Sequence, residues 1–374
     1  MVIIWEQIVM LNHEANPFQV RSDAAQSFVS IARYDDRVAK TIIEEGGVEP
    51  LLKFIQEAPM KGGIFRAARA IGLLACDRES VEYMIRAVMC EVFVKILREG
   101  PMKVQAVVAW ALSVLVNQDP KCQGNFAQHD VVPLLVSHLA FETDSNANED
   151  PETKANIKAM AAIALWKLGK GNAICRSLAE SKALLSFAML LCAENVQYYS
   201  SMALVEITEE KKDVELRRSV FNLNYPAYRA TADQLVLKIT EEADSELQVP
   251  CIRAIGILAS TFGTTGTRTI ALLVQLLDVR DYKTYEAAIE ACIALKKLAC
   301  RNNDSHVEHS KSIIRCWSCK ALNQVSIFWE RIIQFSALFL MCYITLHVLP
   351  DRYDKLGMAE VLIMLHWASR KMNC

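Results

Sequence analysis

An apolar helical motif recurs along this sequence at intervals close to 41 residues. It reads SFVSIA at 27–32, AIGLLA at 70–75 and ALSVLV at 111–116, and it continues as ALWKLG, ALVEIT, AIGILA and ALKKLA. With the later large apolar residue of each copy as its anchor, the series is Ile31, Leu74, Leu115, Leu168, Ile207, Leu258 and Leu298. The intervals are 43, 41, 53, 39, 51 and 40 residues, and the two long ones contain insertions. Periods of roughly 40–47 residues are typical of armadillo and HEAT repeats.

Each copy also contains a second, shorter apolar helix after its anchor, as in GGVEPLLKFI at 46–55 and HDVVPLLVSHL at 129–139. A long helix follows, and at 104–116 its apolar residues keep the spacing of a continuous helical stripe. Such a helix cannot bury that stripe alone, so neighbouring copies must stack. We therefore predict an all-α fold, a single right-handed α-solenoid of seven or eight repeats. The Gly-Gly-Val-x-Pro-Leu-Leu sequence at 46–52 resembles the armadillo unit in particular.

Composition supports a helical protein without nucleic-acid chemistry. Gly and Pro number 13 and 10 among 374 residues, too few for the frequent turns of an all-β fold. The formal net charge of −2 gives no overall basic field, so nucleic acid is not expected as a partner. Most of the 12 cysteines lie within apolar helical runs, which indicates buried thiols in a reducing compartment. The first residues, MVIIWEQIVML, lack a basic region and contain Glu6, so we expect no secretory signal.

The insertions and the C-terminal region define the predicted domain organisation. Segment 142–153 has five acidic residues, no Lys or Arg and one proline, which predicts a solvated loop. Beyond Leu298, segment 315–335 has neither Gly nor Pro where the repeat requires its turn, and this loss of register suggests a reading-frame shift or a retained intron. The predicted divisions are armadillo repeats 1–3 at 1–141, an acidic flexible loop at 142–156, repeats 4–7 at 157–314, and an irregular segment with a C-terminal capping repeat at 315–374.

Blocks spread over nearly the whole chain resemble the plant armadillo-repeat-only proteins. They include IWEQI at 4–8, EGPMKVQAVVAWALS at 99–113, FAQHDVVPLLVSHLAFET at 126–143 and LQVPCIRAIGILASTF at 247–262. The resemblance implies a scaffold in polarised tip growth that associates with Rho-type plant GTPases and their regulators. It implies a cytoplasmic protein recruited to the plasma membrane at growing tips through its partners, with the nucleus as an alternative location. Members of that family carry a further helical domain before the IWEQI block, and this sequence starts at that block.

Signatures of enzymes and cofactor sites are missing from the sequence, so we predict a non-enzymatic protein without a cofactor or a small-molecule substrate. Neither LGKGN at 168–172 nor GTTGT at 263–267 has the frame of a phosphate-binding loop. The best metal candidates are His306, His309, Cys316 and Cys319, whose spacing is not that of a zinc finger, and packing is the favoured interpretation. The uncharged segment 332–349 is long enough to span a membrane, but its polar residues favour a buried solenoid helix.

The predicted binding surface comes from the register of the repeats. Armadillo import receptors bind basic peptides with a Trp-x-x-x-Asn ladder; here Trp110 matches the tryptophan, but Val114 replaces the asparagine. Equivalent positions elsewhere hold mostly other residues, so recognition of import signals is not expected. Four basic residues and Trp110 should instead lie along one concave track, opposed by Glu206, and favour an extended acidic segment of a protein partner. The predicted track consists of Arg69, Trp110, Lys167, Arg253 and Lys297. An adaptor for ubiquitination or nuclear import is the alternative function.

Overall fold

The computed structural model of the protein describes residues 2–57, 64–86, 89–119, 121–139, 150–169, 183–191, 193, 196–208, 225–241, 245–262, 267–277, 285–299 and 306–318. Within these ranges every extended regular element is an α-helix, which confirms the all-α prediction. The chain divides into two compact units, Met1–Lys211 and Lys212–Cys374.

The first unit repeats the order short helix, second helix, long helix. Its helices are α1 (Val2–Asn12), α2 (Phe18–Ala32), α3 (Asp36–Glu44), α4 (Val48–Glu57), α5 (Phe65–Leu74), α6 (Arg78–Arg86), α7 (Met89–Glu99), α8 (Met102–Gln118), α9 (Cys122–Gln128), α10 (Val131–Leu139), α11 (Pro151–Leu168), α12 (Ala183–Leu190) and α13 (Gln197–Thr208). Three complete copies are α3–α5, α6–α8 and α9–α11.

Two rows of helices build the first unit. The long helices α2, α5, α8, α11 and α13 pack side by side in that order, and α1, α4, α7, α10 and α12 form the second row. The anchors Leu74, Leu115 and Leu168 are fully buried, as the repeat predicts. Because α5, α8 and α11 each pack on a long helix at either side, the apolar stripe read from the sequence becomes a continuous core.

An aspartate precedes the short first helix of each of the three complete copies. Asp35, Asp77 and Asp119 stand 42 residues apart. Their Oδ1 atoms accept from the main-chain N–H groups of Arg37 at 2.9 Å, Ser80 at 2.9 Å and Lys121 at 3.1 Å, respectively. The bonds of Asp35 and Asp77 satisfy N–H groups that have no partner within α3 and α6 and so cap those helices. The bond of Asp119 reaches Lys121, just before α9 begins at Cys122.

A second recurring contact ties the end of one helix to the long helix that follows it. In three copies a side chain ten residues before the anchor donates to the last turn of the preceding helix. These bonds join Arg21 Nε to Leu11 O, Gln105 Nε2 to Leu97 O and Gln248 Nε2 to Ile239 O, each at 2.9 Å. Carbonyl groups at helix ends lack intrahelical donors, so each buried bond satisfies a group that would otherwise be stranded.

The second unit contains α14 (Tyr225–Glu241), α15 (Ser245–Phe262), α16 (Thr267–Gln275), α17 (Tyr285–Ala299) and α18 (His306–Ser318). The long helices α15 and α17 pack along each other, while α14 contacts α15 and α18 contacts α16 and α17. Gly256 makes the α15–α17 approach close, because a Cβ atom there would lie 2.5 Å from Ala294 Cβ. The anchors Leu258 and Leu298 are buried in this unit.

The structure differs from the predicted segment boundaries at two places. Helix α11 starts at Pro151, inside the predicted loop 142–156, because Asp150 accepts from Thr153 N at 2.8 Å and from Thr153 Oγ1 at 2.7 Å. Residues 142–149 lie outside the described residues. Helix α18 continues past 314 to Ser318, while the rest of segment 315–374 also lies outside them.

Candidate partner-binding surface

Three of the five predicted groove residues lie on adjacent long helices of the first unit. Arg69 on α5 is exposed, and Trp110 on α8 and Lys167 on α11 are half-buried. The other two, Arg253 on α15 and Lys297 on α17, are half-buried on adjacent long helices of the second unit. The repeat register therefore places all five at the solvent-facing side of long helices, three in one unit and two in the other.

The Trp110 ring rests against a glycine of the neighbouring long helix. A Cβ atom added to Gly72 would lie 2.4 Å from Trp110 Cζ3 and 3.0 Å from Trp110 Cη2. Gly72 lies two residues before the anchor of α5, where a side chain would occupy the space of the ring. The indole of α8 therefore packs on α5 at Gly72 and is still partly exposed, which suits a contact residue.

Lys167 places its charge on an aromatic ring of its own helix. Its Nζ lies 4.0 Å from the centroid of the Trp166 ring, within the range of a cation–π interaction. The Lys167 carbonyl also accepts from Gln123 Nε2 at 3.4 Å. The ammonium group is therefore positioned by the indole on which it stacks.

Two tyrosines of α13 complete an aromatic cluster with Trp166. The Trp166 ring lies 6.3 Å from that of Tyr198 and 6.4 Å from that of Tyr199, and the two tyrosine rings are 5.6 Å apart. The interplanar angles of Tyr198 to Trp166 and to Tyr199 are 83° and 77°, which are edge-to-face arrangements. We call Trp166, Tyr198 and Tyr199 the aromatic cluster.

Comparison with the import-receptor ladder did not reveal this cluster, because its members occupy other repeat positions. Trp166 lies two residues before the anchor Leu168, and Tyr198 and Tyr199 lie nine and eight residues before the anchor Ile207. The consecutive tyrosines at the start of a long helix were the available signal. A survey of all solvent-facing positions of each long helix would have found them.

The charge balance of the predicted groove includes an acidic residue that register alone did not reveal. Arg253 forms an ion pair with Glu290 of α17, whose side chain is only 13% exposed. The positive charge of Arg253 is therefore largely compensated inside the second unit. Glu290 lies eight residues before its anchor, outside the positions that the sequence analysis compared. In the first unit, Arg66 of α5 similarly pairs with Asp23 of α2 at 2.6 Å, beside the predicted groove position Arg69.

The candidate metal residues of the sequence do not form a described metal site. His309 is buried, with Nδ1 at 3.3 Å from the carbonyl oxygen of Leu298, and Cys316 is half-buried. Cys319 and the side chain of His306 lie outside what the structure describes. Among the described residues, no three His, Cys, Asp or Glu side chains converge on a point where a metal ion could bind.

Three described cysteines are held as protonated thiols. Burial raises the pKa of Cys90 to about 11 and those of Cys122 and Cys292 to about 12. Thiols with such pKa values carry almost no thiolate at neutral pH and are poor nucleophiles. These side chains act as small apolar residues of the core, as their positions in apolar runs predicted.

Across the described helices, none combines the length and the apolar character needed to cross a membrane. The uncharged segment 332–349 falls outside the described residues.

Comparison with solved structures gives the class of the fold. An engineered protein matches over 99% of this chain and 99% of its own, with 19% identity and a TM-score of 0.59. The designed armadillo repeat protein YIII(Dq)4CqI covers 68% of this chain and 98% of its own, with 20% identity and a TM-score of 0.56. A related design, YIII(Dq.V1)4CPAF, solved in complex with the peptide (KR)4, gives the same two coverages with 21% identity and a TM-score of 0.56.

These structural similarities show that the chain has the fold of an armadillo-repeat protein, and they confirm the predicted all-α solenoid. A scan against protein-family models and a search of curated proteins find no match.

Proposed function

We propose that the protein is a non-enzymatic scaffold whose long helices bind an extended, acidic segment of a protein partner. One observation carries the proposal: Arg69 and Lys167 flank Trp110 on three consecutively stacked long helices, α5, α8 and α11. Such a surface suits an extended peptide, because each stacked helix can contact the next residues along that peptide. A designed protein of this fold is solved with the peptide (KR)4, which supports a peptide as the kind of ligand.

The sign of the charges supports an acidic rather than a basic ligand. At the positions compared within the first unit, Arg69 and Lys167 are basic and Glu206 is acidic. Complementary charge increases association rates and excludes partners of the wrong sign. The same comparison argues against the import adaptor, because Val114 stands where a ladder would place an amide beside Trp110. No described feature specifically favours the ubiquitination adaptor.

The biological setting of the proposal rests on sequence resemblance. The blocks shared with plant armadillo-repeat-only proteins support a role in polarised growth, with Rho-type plant GTPases and their regulators as partners. Recruitment from the cytoplasm to the plasma membrane would then occur through those partners. Capture of a purified Rho-type plant GTPase by the full chain, compared between its GTP-analogue and GDP forms, tests this setting. If the chain captures neither form of the GTPase, direct GTPase binding is removed from the proposal.

Charge reversal tests the binding surface itself. The full chain should bind a fluorescein-labelled (Asp-Glu)4 peptide more tightly than (Lys-Arg)4, and added salt should weaken the complex. The double variant Arg69→Glu, Lys167→Glu should lose roughly tenfold in affinity for (Asp-Glu)4, because two attractive contacts become repulsive. Arg98→Glu, an exposed reversal on the second-row helix α7, is the matched control. Equal affinities in the double variant and the wild type, with unchanged far-UV circular dichroism, would refute the proposal.

A further inference from the structure

The aromatic cluster lies beside Lys167, at the step between α11 and α13. At the equivalent step between α5 and α8, Gly72 stands where Trp166 does and Ala106 stands where Tyr198 does. The ring at that step comes from Trp110, which packs against Gly72. The α11–α13 step differs in that it brings three rings together, one of them exposed.

Exposure and packing together make Tyr198 suited to contact a ligand. The Tyr198 side chain is 40% exposed, although its ring meets both Trp166 and Tyr199 edge-to-face. A ring held by two others has already lost most of its rotational freedom, so a ligand that contacts it loses little further entropy. Tyrosine and tryptophan, together with arginine, are enriched among the side chains that dominate binding energy at interfaces.

We propose that the aromatic cluster is a specificity subsite for an aromatic side chain of the bound segment, next to an acidic residue that Lys167 attracts. The inference rests on the proposed function and adds the side chain that the acidic segment must carry. Aromatic rings prefer edge-to-face or offset contacts with other rings, and the cluster offers ring edges and faces for them. Rings also attract cations, but the ammonium of Lys167 already lies over Trp166 and disfavours a second positive charge there.

Distances set the spacing of the two ligand residues. Lys167 Nζ is 4.0 Å from the Trp166 ring, and that ring is 6.3 Å from the Tyr198 ring. An extended chain advances roughly 3.3 Å per residue, and side chains two residues apart point to the same side. An acidic residue and an aromatic one two positions apart, in either order, therefore fit both contacts, which gives the patterns acidic-x-aromatic and aromatic-x-acidic.

The experiment uses the full chain and three fluorescein-labelled octapeptides. The first is Glu-Gly-Phe-Gly-Glu-Gly-Phe-Gly, which contains both orders, the second has Ser for each Phe, and the third has Lys for each Glu. By fluorescence anisotropy, the wild type should bind the Phe peptide roughly five- to tenfold more tightly than the Ser peptide. It should bind the Lys peptide more weakly than either.

Variants locate that preference. Tyr198→Ala should bind the Phe and Ser peptides alike, and Tyr198→Phe should keep the preference because it keeps the ring. Arg69→Met should weaken both acidic peptides equally and leave their ratio unchanged. Tyr34→Ala, at a tyrosine that is 82% exposed between α2 and α3, is the control for loss of a surface ring.

Each outcome decides between the two proposals. A wild type that binds both acidic peptides equally overturns the subsite and leaves the acidic groove intact, and so does a preference that survives Tyr198→Ala. A wild type that binds neither acidic peptide overturns both. The comparison of peptides on the wild type needs no variant to fold, and thermal unfolding of Tyr198→Ala and Tyr198→Phe verifies that both variants are folded.

Discussion

The side-chain amide of Gln105 donates a hydrogen bond of 2.9 Å to the main-chain carbonyl of Leu97. His138 Nε2 approaches the same oxygen at 3.1 Å. Gln105 belongs to the long helix of the same copy, and His138 belongs to the second-row helix of the next copy. One carbonyl in the last turn of α7 therefore joins two consecutive repeats, and both of its lone pairs are used.

Removing one donor should be tolerated, and removing both should not. Gln105→Leu should lower the free energy of unfolding by about 1 kcal/mol, because the Leu97 carbonyl keeps its bond to His138. The double variant with His138→Leu should cost about 1–3 kcal/mol more than the sum of the single changes, since the buried carbonyl then has no donor. Denaturant unfolding followed by circular dichroism measures all three variants.

Gln118→Leu provides the control for the change from amide to leucine, because Gln118 is exposed at the end of α8. Its free energy of unfolding should lie within about 0.5 kcal/mol of that of the wild type. Strictly additive effects of the two buried substitutions would show that the shared acceptor does not couple the repeats.

The His138 contact also predicts a pH dependence. Burial lowers the pKa of His138 from its ordinary value, and the hydrogen bond to the Leu97 carbonyl offsets this only in part. The unfolded chain therefore binds a proton at higher pH than the folded chain does, and stability falls as pH drops below about 6.5. Between pH 7.5 and 5.5 the loss from this residue is at most about 1.4 kcal/mol.

His138→Gln isolates this contribution, because glutamine can still donate to Leu97 and does not titrate. The variant should lose less stability than the wild type over the same pH interval, measured from urea midpoints at pH 7.5, 6.5 and 5.5. Parallel curves for the two proteins would mean that His138 is protonated equally well in the folded and unfolded states.

The fold was predictable because apolar residues recur along the sequence with a long period close to 41 residues. The anchors Leu74 and Leu115 are buried, and the long helices that contain them stack in the predicted order. Segment boundaries were less predictable: the acidic composition around Asp150 indicated a loop, whereas the same carboxylate caps α11. Composition cannot distinguish an aspartate in a loop from one that starts a helix without the contacts that follow it.

The contact between Gly72 and Trp110 predicts opposite effects of two glycine-to-alanine changes. A Cβ at Gly72 would lie 2.4 Å from the indole, so Gly72→Ala should destabilise by about 1–3 kcal/mol or displace the ring. At Gly124, in α9, nothing lies within 4 Å of an added Cβ, so Gly124→Ala should stabilise by about 0.5–1 kcal/mol. Thermal unfolding compares the two, and a neutral Gly72→Ala would show that Trp110 is free to move.

The candidate site was only partly predictable, because side-chain pairing depends on neighbouring helices rather than on register. Register placed Arg253 in the track, but its ion pair with Glu290 depends on how α15 and α17 pack. The aromatic cluster likewise arises where Trp166 of α11 meets two tyrosines of α13. Neither contact has a signature in one repeat alone, since each joins two copies at different repeat positions.

Acid should weaken the contact between Asp77 and Lys40, which joins the first helices of two consecutive repeats. Lys40 Nζ lies 2.5 Å from Asp77 Oδ2, and Asp77 also accepts from the N–H of Ser80. The pKa of Asp77 is lowered to about 2. The largest cause is the hydrogen bond from the Lys40 ammonium group, and the hydrogen bonds from the main chain and side chain of Ser80 come next. A lowered pKa means that the carboxylate stabilises the fold above about pH 4 and loses this effect as pH falls towards 2.

The size of this effect is limited by solvent, because the Asp77 side chain is 34% exposed. Asp77→Asn keeps an oxygen for the Ser80 N–H and loses the charge, so at pH 7 it should cost less than about 1 kcal/mol. Asp77→Ala also removes the helix cap and should cost about 1–2 kcal/mol. Wild type and Asp77→Asn should converge between pH 4 and 2 in urea titrations. If Lys40→Met and Asp77→Asn have additive effects at pH 7, then the ion pair does not contribute, and the cap alone explains the stabilisation by Asp77.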